Sequence, residues 1–242
     1  MTIRHFNLNI VHPSWQSCLQ QALEQIDPSY LNELYSNQDW LPGHEKIFNA
    51  FTLPIDQVNY VLFGESPYPR AGSANGFAFW DAAVTDIWSE TGLSKQVNRA
   101  TSLRNLIKMF LVAEGALAPT QTAQPDIMQV DKKHLVKTNS ELFNNFLRHG
   151  FLLLNATPVL HQESVRKDAI AWQPFIKHVL NHLFQKNPHV ELVLFGNIAN
   201  TIDKLVDHFD IKRLYAEHPY NHSFINNPEV LTFFRPLQLL SL

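Results

Sequence analysis

The sequence predicts an α/β protein built on a parallel, doubly wound sheet with helices covering both faces. Two observations lead to this prediction: short apolar runs of strand length recur along the chain, and segments of helical spacing lie between them. The chain has 242 residues, of which 45% are hydrophobic and 17% are charged. It can therefore bury a substantial core, which excludes a disordered protein and fits one large domain or two small ones.

The first part of the chain is predicted to be largely helical. Residues 14–37 carry apolar side chains at helical spacing, and Pro28 interrupts the pattern. Residues 40–51 are typical of a turn and a short helix that lead into the first strand. A later helix is expected to be capped by the hydroxyl group of Ser102, whereas residues 118–134 are expected to form a loop.

Four short runs are predicted to be strands. Residues 60–63 and 151–154 are apolar and have the length of buried strands, as does Glu191–Phe195, and Arg213–Ala216 is the fourth candidate. Helices are predicted between them, at 141–148 with Gly150 as the C-terminal cap, at 172–184 and at about 199–208.

Candidate functional residues follow directly after these strands. In open parallel sheets, ligands bind at the carboxyl ends of the strands. The first strand is followed by a turned segment rich in proline, which can continue neither a strand nor a helix. The candidates at these ends are 65–69, Asn155, Gly196 with Asn197, and His218. Their common position predicts one site at one edge of the sheet.

Composition excludes several other functions. The net charge of −3 argues against a protein that is basic all round, although a local basic face could still hold phosphates. Cys18 is the single cysteine, so no internal disulfide and no four-cysteine metal site can form. His178 and His182 lack a third ligand and are typical of a solvated helix face. No phosphate-loop or dinucleotide-binding motif occurs, and we expect no metal and no cofactor.

The chain also lacks membrane and export signals. No apolar run approaches the about 20 residues of a membrane span, and the start of the chain lacks the apolar core of a signal peptide. We therefore expect a soluble, intracellular protein without membrane association.

Six segments resemble motifs of the uracil-DNA glycosylases, and they are most similar to family 1. Residues 64–69 have the sequence GESPYP where the family has GQDPYH, and 75–80 have NGFAFW beside HGLAFS. Residues 152–160, LLLNATPVL, are similar to LLLNAVLTV. The remaining similarities are AWQPF to RGWEQF at 171–175, VLFGNIAN to LLWGSYAQ at 193–200, and HPYNHS to HPSPLS at 218–223. Residues 47–63 also resemble the family's approach to the first motif, and the similarities as a whole follow the family's order from about 15 to 234.

The resemblance implies a three-layer α/β/α single domain over 1–242 with a central parallel four-stranded sheet. It also implies a DNA N-glycosylase that flips a base out of the stack and cleaves its glycosidic bond. Phe79 would stack on the flipped base, and Asn155 would bond uracil N3–H and O4. Tyr68 would lie beside uracil C5 and exclude the methyl group of thymine, and His218 would donate a hydrogen bond to O2.

DNA contacts follow from the same resemblance. The segments that would hold phosphates contain Ser66, Ser102, Gly196, Asn197 and Ser223. His222 stands where the family has the leucine that fills the gap left by the flipped base.

Two positions depart from the family in ways that affect catalysis. Ser66 occupies the place of the catalytic carboxylate, and a serine cannot carry the charge that stabilises the sugar cation or polarises water. Glu65, one residue earlier, is a carboxylate that could substitute for it. His222 can stack in a duplex, but it is not an apolar wedge.

Three functions stay open on these residues. The first is a divergent glycosylase that acts on uracil or another damaged base in DNA and releases the free base. The second is a degenerate homologue that binds DNA or a base without cleavage, and the third is an interaction module that kept only the fold. Phe79, Asn155 and His218 favour the first two over the third. We expect a cytoplasmic monomer.

Overall fold

The computed structural model describes residues 6–37, 39–161 and 165–242. Six strands are present in these ranges: β1 (Tyr60–Gly64), β2 (Trp88–Ser89), β3 (Gly92–Leu93), β4 (Phe151–Asn155), β5 (Glu191–Phe195) and β6 (Arg213–Ala216). The α-helices of the same ranges are α1 (Pro13–Leu23), α2 (Pro28–Ser36), α3 (Lys95–Arg99), α4 (Thr101–Ala113), α5 (Gln124–Met128), α6 (Asn139–Arg148), α7 (Val165–Lys186), α8 (Ile198–Leu205) and α9 (Pro228–Phe234).

The central sheet has four strands in the order β4-β1-β5-β6. β1 and β4 run parallel, with Tyr60 opposite Phe151 and Gly64 opposite Asn155. The three middle residues of β1 and all five of β4 are buried, as expected for strands with both faces covered. The prediction of an α/β/α fold around a parallel four-stranded sheet is confirmed.

The chain forms two compact units. The first comprises Met1–Asp81, Gly150–Val193 and Ile198–Arg213, and the second comprises Ala82–His149, Leu194–Asn197 and Leu214–Leu242. The single domain expected from the sequence stays a prediction.

The core of the first unit lies between α1 and α7. Trp15 of α1 is fully buried; its indole nitrogen donates to the carbonyl oxygen of Leu53 at 2.8 Å, and its ring meets Phe51 edge-on. From α7, Trp172 packs edge-on against Phe175. These rings bury the apolar faces of both helices, which is the main stabilisation available to amphipathic helices.

The core of the second unit is also aromatic. Phe110 of α4 packs against Phe146 of α6 and Phe234 of α9, with ring centroids 5.8 and 5.3 Å apart. Phe195, the last residue of β5, meets Phe224 at 4.9 Å. α4 is therefore held on its apolar face, which leaves its polar residues available for contacts with loops.

One helix start differs from the sequence prediction. Ser102 lies in the first turn of α4 and does not cap it, because Ala100 occupies the N-cap position. The capping serine of this region is Ser94, whose side chain accepts a hydrogen bond from the backbone N–H of Val97 and starts α3 instead. Two helices follow each other here, the five-residue α3 and the 13-residue α4, and the serine cap belongs to the first of them.

Other boundaries agree closely or shift by a few residues. Pro28 does interrupt the helical region, since α1 ends at Leu23 and α2 begins at Pro28 itself. Gly150 has a φ of +82°, the left-handed conformation of a helix C-terminus. The loop expected at 118–134 contains α5, and the two-residue strands β2 and β3 form an unexpected antiparallel pair. Within the described ranges, no helix is both long and apolar enough to span a membrane.

Candidate functional site

The end of β1 and the end of β4 meet at a glycine. The backbone N–H of Ala156 donates to the carbonyl oxygen of Gly64 at 2.9 Å, and the backbone N–H of Thr157 donates to the carbonyl oxygen of Glu65 at 3.0 Å. The backbone pairing of β1 with β4 therefore continues past the ends of both strands. A Cβ atom on Gly64 would lie 2.5 Å from Oδ1 of Asn155. Only glycine therefore lets the amide of Asn155, a residue 4% exposed, rest on this strand end.

Tyr68 and Phe79 are joined across the proline-rich loop. The Tyr68 hydroxyl donates to the Phe79 carbonyl oxygen at 3.1 Å. Burial is the main cause that raises the pKa of this hydroxyl, and the nearby carboxylate of Asp81 adds to the effect, so the group stays a donor. Phe79 has a φ of +62°, a left-handed conformation that non-glycine residues rarely adopt.

The segment before Phe79 is fixed to β4. The backbone N–H of Ala78 donates to the carbonyl oxygen of Leu153 at 3.0 Å. A Cβ atom on Gly64 would also lie 3.0 Å from that of Ala78. The structure thus brings Tyr68, Phe79 and Asn155 to one edge of the first unit, where each was expected to touch the base.

Ser66, at the place of the family's catalytic carboxylate, and Glu65, its candidate substitute, lie in the same loop. Ser66 is partly buried and Glu65 is exposed to solvent. The loop is closed by an ion pair that the sequence did not indicate: Arg70 donates to Asp81 at 3.1 Å, and the Asp81 side chain is 2% exposed. The available signal was an aspartate two residues after the expected stacking phenylalanine.

The candidates of the second unit gather around His218. Gly196 has a φ of +75°, and its backbone N–H donates to the Ala216 carbonyl oxygen at 2.8 Å. A Cβ atom on Gly196 would lie 2.9 Å from Cβ of His218, so the turn after β5 packs directly on this histidine. The backbone N–H of Tyr220 donates to Nδ1 of His218 at 3.1 Å. Nδ1 is therefore unprotonated, and the neutral ring carries its proton on Nε2.

The remaining candidates of the second unit lie at its surface. Asn197, His222 and Ser223 are exposed, and Ser102 is partly exposed. The Ser223 side chain forms a hydrogen bond with the carboxylate of Glu217. Burial raises the pKa of Glu217, but the hydrogen bonds that its carboxylate accepts from Ser223, from the Glu217 backbone and from Asn227 outweigh burial, so the pKa is lowered. Ser223 was expected to help hold a phosphate, whereas in the structure it is hydrogen-bonded to the carboxylate of Glu217.

Sequence reasoning missed the polar residue that holds the His218 loop. Asn105 of α4 is 1% exposed, and its Nδ2 lies 2.7, 3.3 and 3.4 Å from the carbonyl oxygens of Pro219, Tyr220 and Asn221. The available signal was an asparagine on the apolar face of the helix, beside Leu103, Leu106 and Met109. Within the described ranges, no cluster of at least three histidine, cysteine or carboxylate side chains could hold a metal ion.

A second polar network missed by sequence reasoning anchors the segment that follows Asn155. Asp168 is fully buried and accepts hydrogen bonds from the Tyr30 hydroxyl at 2.7 Å and from the backbone N–H of His161 at 2.8 Å. Nδ1 of His161 lies 2.9 Å from the same carboxylate. The indole nitrogen of Trp172 donates to the Tyr30 oxygen at 3.0 Å. The network fixes the end of this segment to α2 and α7.

Comparisons with known proteins show which proteins the chain is similar to. No protein-family model matches it. It is 27% identical over 218 residues to the uracil-DNA glycosylase of Amoebophilus asiaticus, covering 86% of this chain and 84% of that protein. It is also 27% identical over 216 residues to the uracil-DNA glycosylase of Streptococcus mutans, covering 86% and 83%.

Solved structures give the stronger similarity. The crystal structure of the wild-type UNG of Nitratifractor salsuginis matches with a TM-score of 0.91 and 41% identity, covering 97% of this chain and 94% of that one. The uracil-DNA glycosylase of mimivirus matches at a TM-score of 0.59 and 18% identity, which concerns the fold alone.

Proposed function

This chain belongs to the uracil-DNA glycosylase superfamily, and we propose that it is a divergent DNA N-glycosylase that removes uracil or a related damaged base. The observation that supports this most directly is the arrangement of Asn155 over Gly64 beside the Tyr68–Phe79 pair. An amide, an aromatic face and a rigid hydroxyl-bearing ring at one strand edge are the groups that a single pyrimidine needs.

Asn155 is assigned the recognition of the base. Its amide offers one acceptor and one donor, which match N3–H and O4 of uracil and mismatch the corresponding groups of cytosine. The close contact with Gly64 limits the positions that the amide can take. Tyr68 is assigned the exclusion of a methyl group at C5, and Phe79 is assigned the stacking on the base.

His218 is assigned the stabilisation of the leaving group. As the bond between C1′ and the base nitrogen breaks, its electron pair leaves with the base and negative charge grows on O2. The hydrogen bond from the Tyr220 backbone to Nδ1 leaves Nε2–H as the donor for that oxygen. Water then adds to C1′ and loses a proton, giving an abasic sugar and a free base.

Ser66 makes the proposed reaction slow rather than impossible. Because Ser66 carries no charge, it can neither polarise the attacking water nor stabilise the sugar cation. This loss lowers the rate by about 10²–10⁴-fold. The donor at Nε2 of His218 and the base contacts are retained, and they carry the remaining catalysis. Glu65 is exposed, so water screens its charge.

The test is a cleavage panel of oligonucleotides that carry one uracil or one other damaged base, treated with alkali after incubation. We expect slow uracil release by the wild type, an increase with Ser66→Asp and no increase with Ser66→Asn, which has the same shape without the charge. Asn155→Ala should abolish release, whereas Asn200→Ala on the exposed side of α8 should not. Release that persists in Asn155→Ala would contradict the assigned recognition.

A protein that binds DNA without cleavage is the second candidate, and Ser66 is the residue that favours it. This function would be selected if neither the wild type nor Ser66→Asp released any base while both bound DNA. Absence of both binding and release would leave an interaction module. The monomeric state and the cytoplasmic location stay predictions.

A further inference from the structure

Tyr220 is an aromatic residue held out in solvent. The residue is 68% exposed, compared with 45% for Tyr215 on β6 of the same unit. It follows the buried Pro219 and precedes Asn221 in the loop after His218. A ring that is left in water contributes little to the core, and tyrosine is enriched at interfaces because its ring is apolar and its hydroxyl group can bond to water or to a partner.

The backbone beneath this ring is rigid. Nδ2 of the buried Asn105 lies within hydrogen-bonding distance of three successive carbonyl oxygens, that of Tyr220 and those of its two neighbours in the chain. The backbone N–H of Tyr220 donates to His218, and that of Asn221 donates to the His218 carbonyl oxygen at 2.9 Å. The loop is therefore ordered before any ligand arrives, which lowers the entropic cost of binding.

Positive charge lies on the helix that holds the loop. Nε of Arg104 donates to Oδ1 of Asn105 at 3.4 Å, and Nη1 donates to the carbonyl oxygen of Asn98 at 3.1 Å. Lys108 follows one turn later; burial lowers the pKa of its ammonium group, and the neighbouring Arg104 lowers it further. Two cations held close together on one helix favour an anionic partner such as a phosphate backbone.

We propose that Tyr220 stacks on an unpaired nucleobase of bound DNA, with Asn105 as the positioning residue that presents it. The inference rests on the proposed function in taking DNA as the polymer. An exposed ring together with cations matches the chemistry of a single-stranded or locally unpaired strand, where bases stack on aromatic side chains and phosphates pair with cations. The resemblance aligns His222 with the leucine that fills the gap in the family, and it gives Tyr220 no role.

The test is equilibrium binding, measured by fluorescence anisotropy, of two labelled DNAs that cannot be cleaved. One is a short single strand, and the other is a duplex with a tetrahydrofuran abasic-site analogue. Tyr220→Ala should weaken the binding of both by about 5- to 100-fold, whereas Tyr220→Phe and Tyr220→Trp should stay within about twofold of the wild type. Tyr215→Ala is the control and should not change the affinity.

Two further results separate stacking from other effects. Because the ring is neutral, Tyr220→Ala should leave the salt dependence of binding unchanged, whereas Lys108→Gln should reduce the slope by about one unit. Unchanged affinity in Tyr220→Ala would overturn the proposal, and so would a loss in Tyr220→Phe equal to that in Tyr220→Ala, since the hydroxyl would then carry the interaction. The circular dichroism of each variant reports on folding.

Failure of this inference is distinguishable from failure of the proposed glycosylase activity. Tyr220-dependent binding by a protein that releases no base would uphold the stacking role and reject the activity. Base release by a protein whose DNA binding does not depend on Tyr220 would uphold the activity and reject the stacking role. A wild type that binds neither DNA would overturn the stacking role outright.

Discussion

Gly64 lies directly against Asn155, and a single added methyl group would come within 2.5 Å of the Asn155 amide oxygen. The contact joins the last residue of β1 to the last residue of β4, and the strand register places the two opposite each other. The glycine that ends β1 thus limits where the amide of Asn155 can lie.

The first prediction concerns Gly64→Ala. The added methyl group should displace the Asn155 amide and reduce base release by at least about 10-fold, because a misplaced recognition group loses much of its effect. Gly72→Ala is the matched control, since a Cβ atom at Gly72 would meet no atom within 4 Å and should leave release unchanged. Equal release by both variants would mean that the amide tolerates the displacement.

The second prediction concerns Tyr68→Phe. Removing the hydroxyl leaves the left-handed Phe79 without the hydrogen bond to its carbonyl oxygen, which should lower the free energy of unfolding by about 1 kcal/mol. It should also weaken substrate binding, seen as a higher KM, because the stacking ring loses its fixed position. Urea unfolding and steady-state kinetics measure the two effects. An unchanged KM would indicate that other contacts hold Phe79 in place.

The third prediction concerns Tyr30→Phe in the network around Asp168. The variant removes a donor from a fully buried carboxylate and an acceptor from the Trp172 indole, so the free energy of unfolding should fall by about 2–3 kcal/mol. Urea unfolding with an unchanged m-value would locate the loss in the native state. A loss below about 0.5 kcal/mol would mean that water replaces the hydroxyl at both partners.

The fourth prediction concerns the pH dependence of Glu114. Burial raises the pKa of this carboxyl group to about 6, although it accepts hydrogen bonds from the backbone of Leu239 and Leu240. A folded-state pKa above the unfolded value favours folding at low pH, and this contribution is lost as the pH rises from about 4.5 to about 6. After allowance for partial solvent exposure, the contribution amounts to about 1 kcal/mol.

Glu114→Gln keeps an acceptor for Leu240 and removes the titration. We expect the variant to exceed the wild type in free energy of unfolding at pH 8 by about 1 kcal/mol and to equal it at pH 4. The difference between the two proteins isolates Glu114 from the other carboxylates that titrate in this range. A constant difference at both pH values would contradict the assigned titration.

Local patterns in the sequence predicted the elements that depend on local physics. The buried strands follow from apolar runs, the break between α1 and α2 follows from Pro28, and the end of α6 follows from Gly150. The error at Ser102 arose because two residues, Ser94 and Ser102, could each cap a helix in this region. Which one does so depends on where the chain turns between α3 and α4.

The candidate site was predictable where a motif carried it and not where distant residues meet. Asn155 and Phe79 could be named from their segments. The hydrogen bonds from Asn105 to the loop at Pro219 join residues more than a hundred positions apart. The exposure of Tyr220 likewise depends on that tertiary contact, because its own sequence neighbours do not determine whether the ring is covered.

The division of the chain into two units has a consequence for synthesis. The first unit takes its last stretch from Ile198–Arg213, and the second takes its last from Leu214–Leu242. A ribosome releases the chain from its amino terminus, so the first unit lacks a part until Arg213 has emerged, and the second lacks a part until Leu242 has emerged. β1 and the loop after it must therefore wait, with apolar side chains uncovered, for β4 and β5 to be translated. Nascent chains stalled before residue 198 should consequently be bound by chaperones that hold exposed apolar segments.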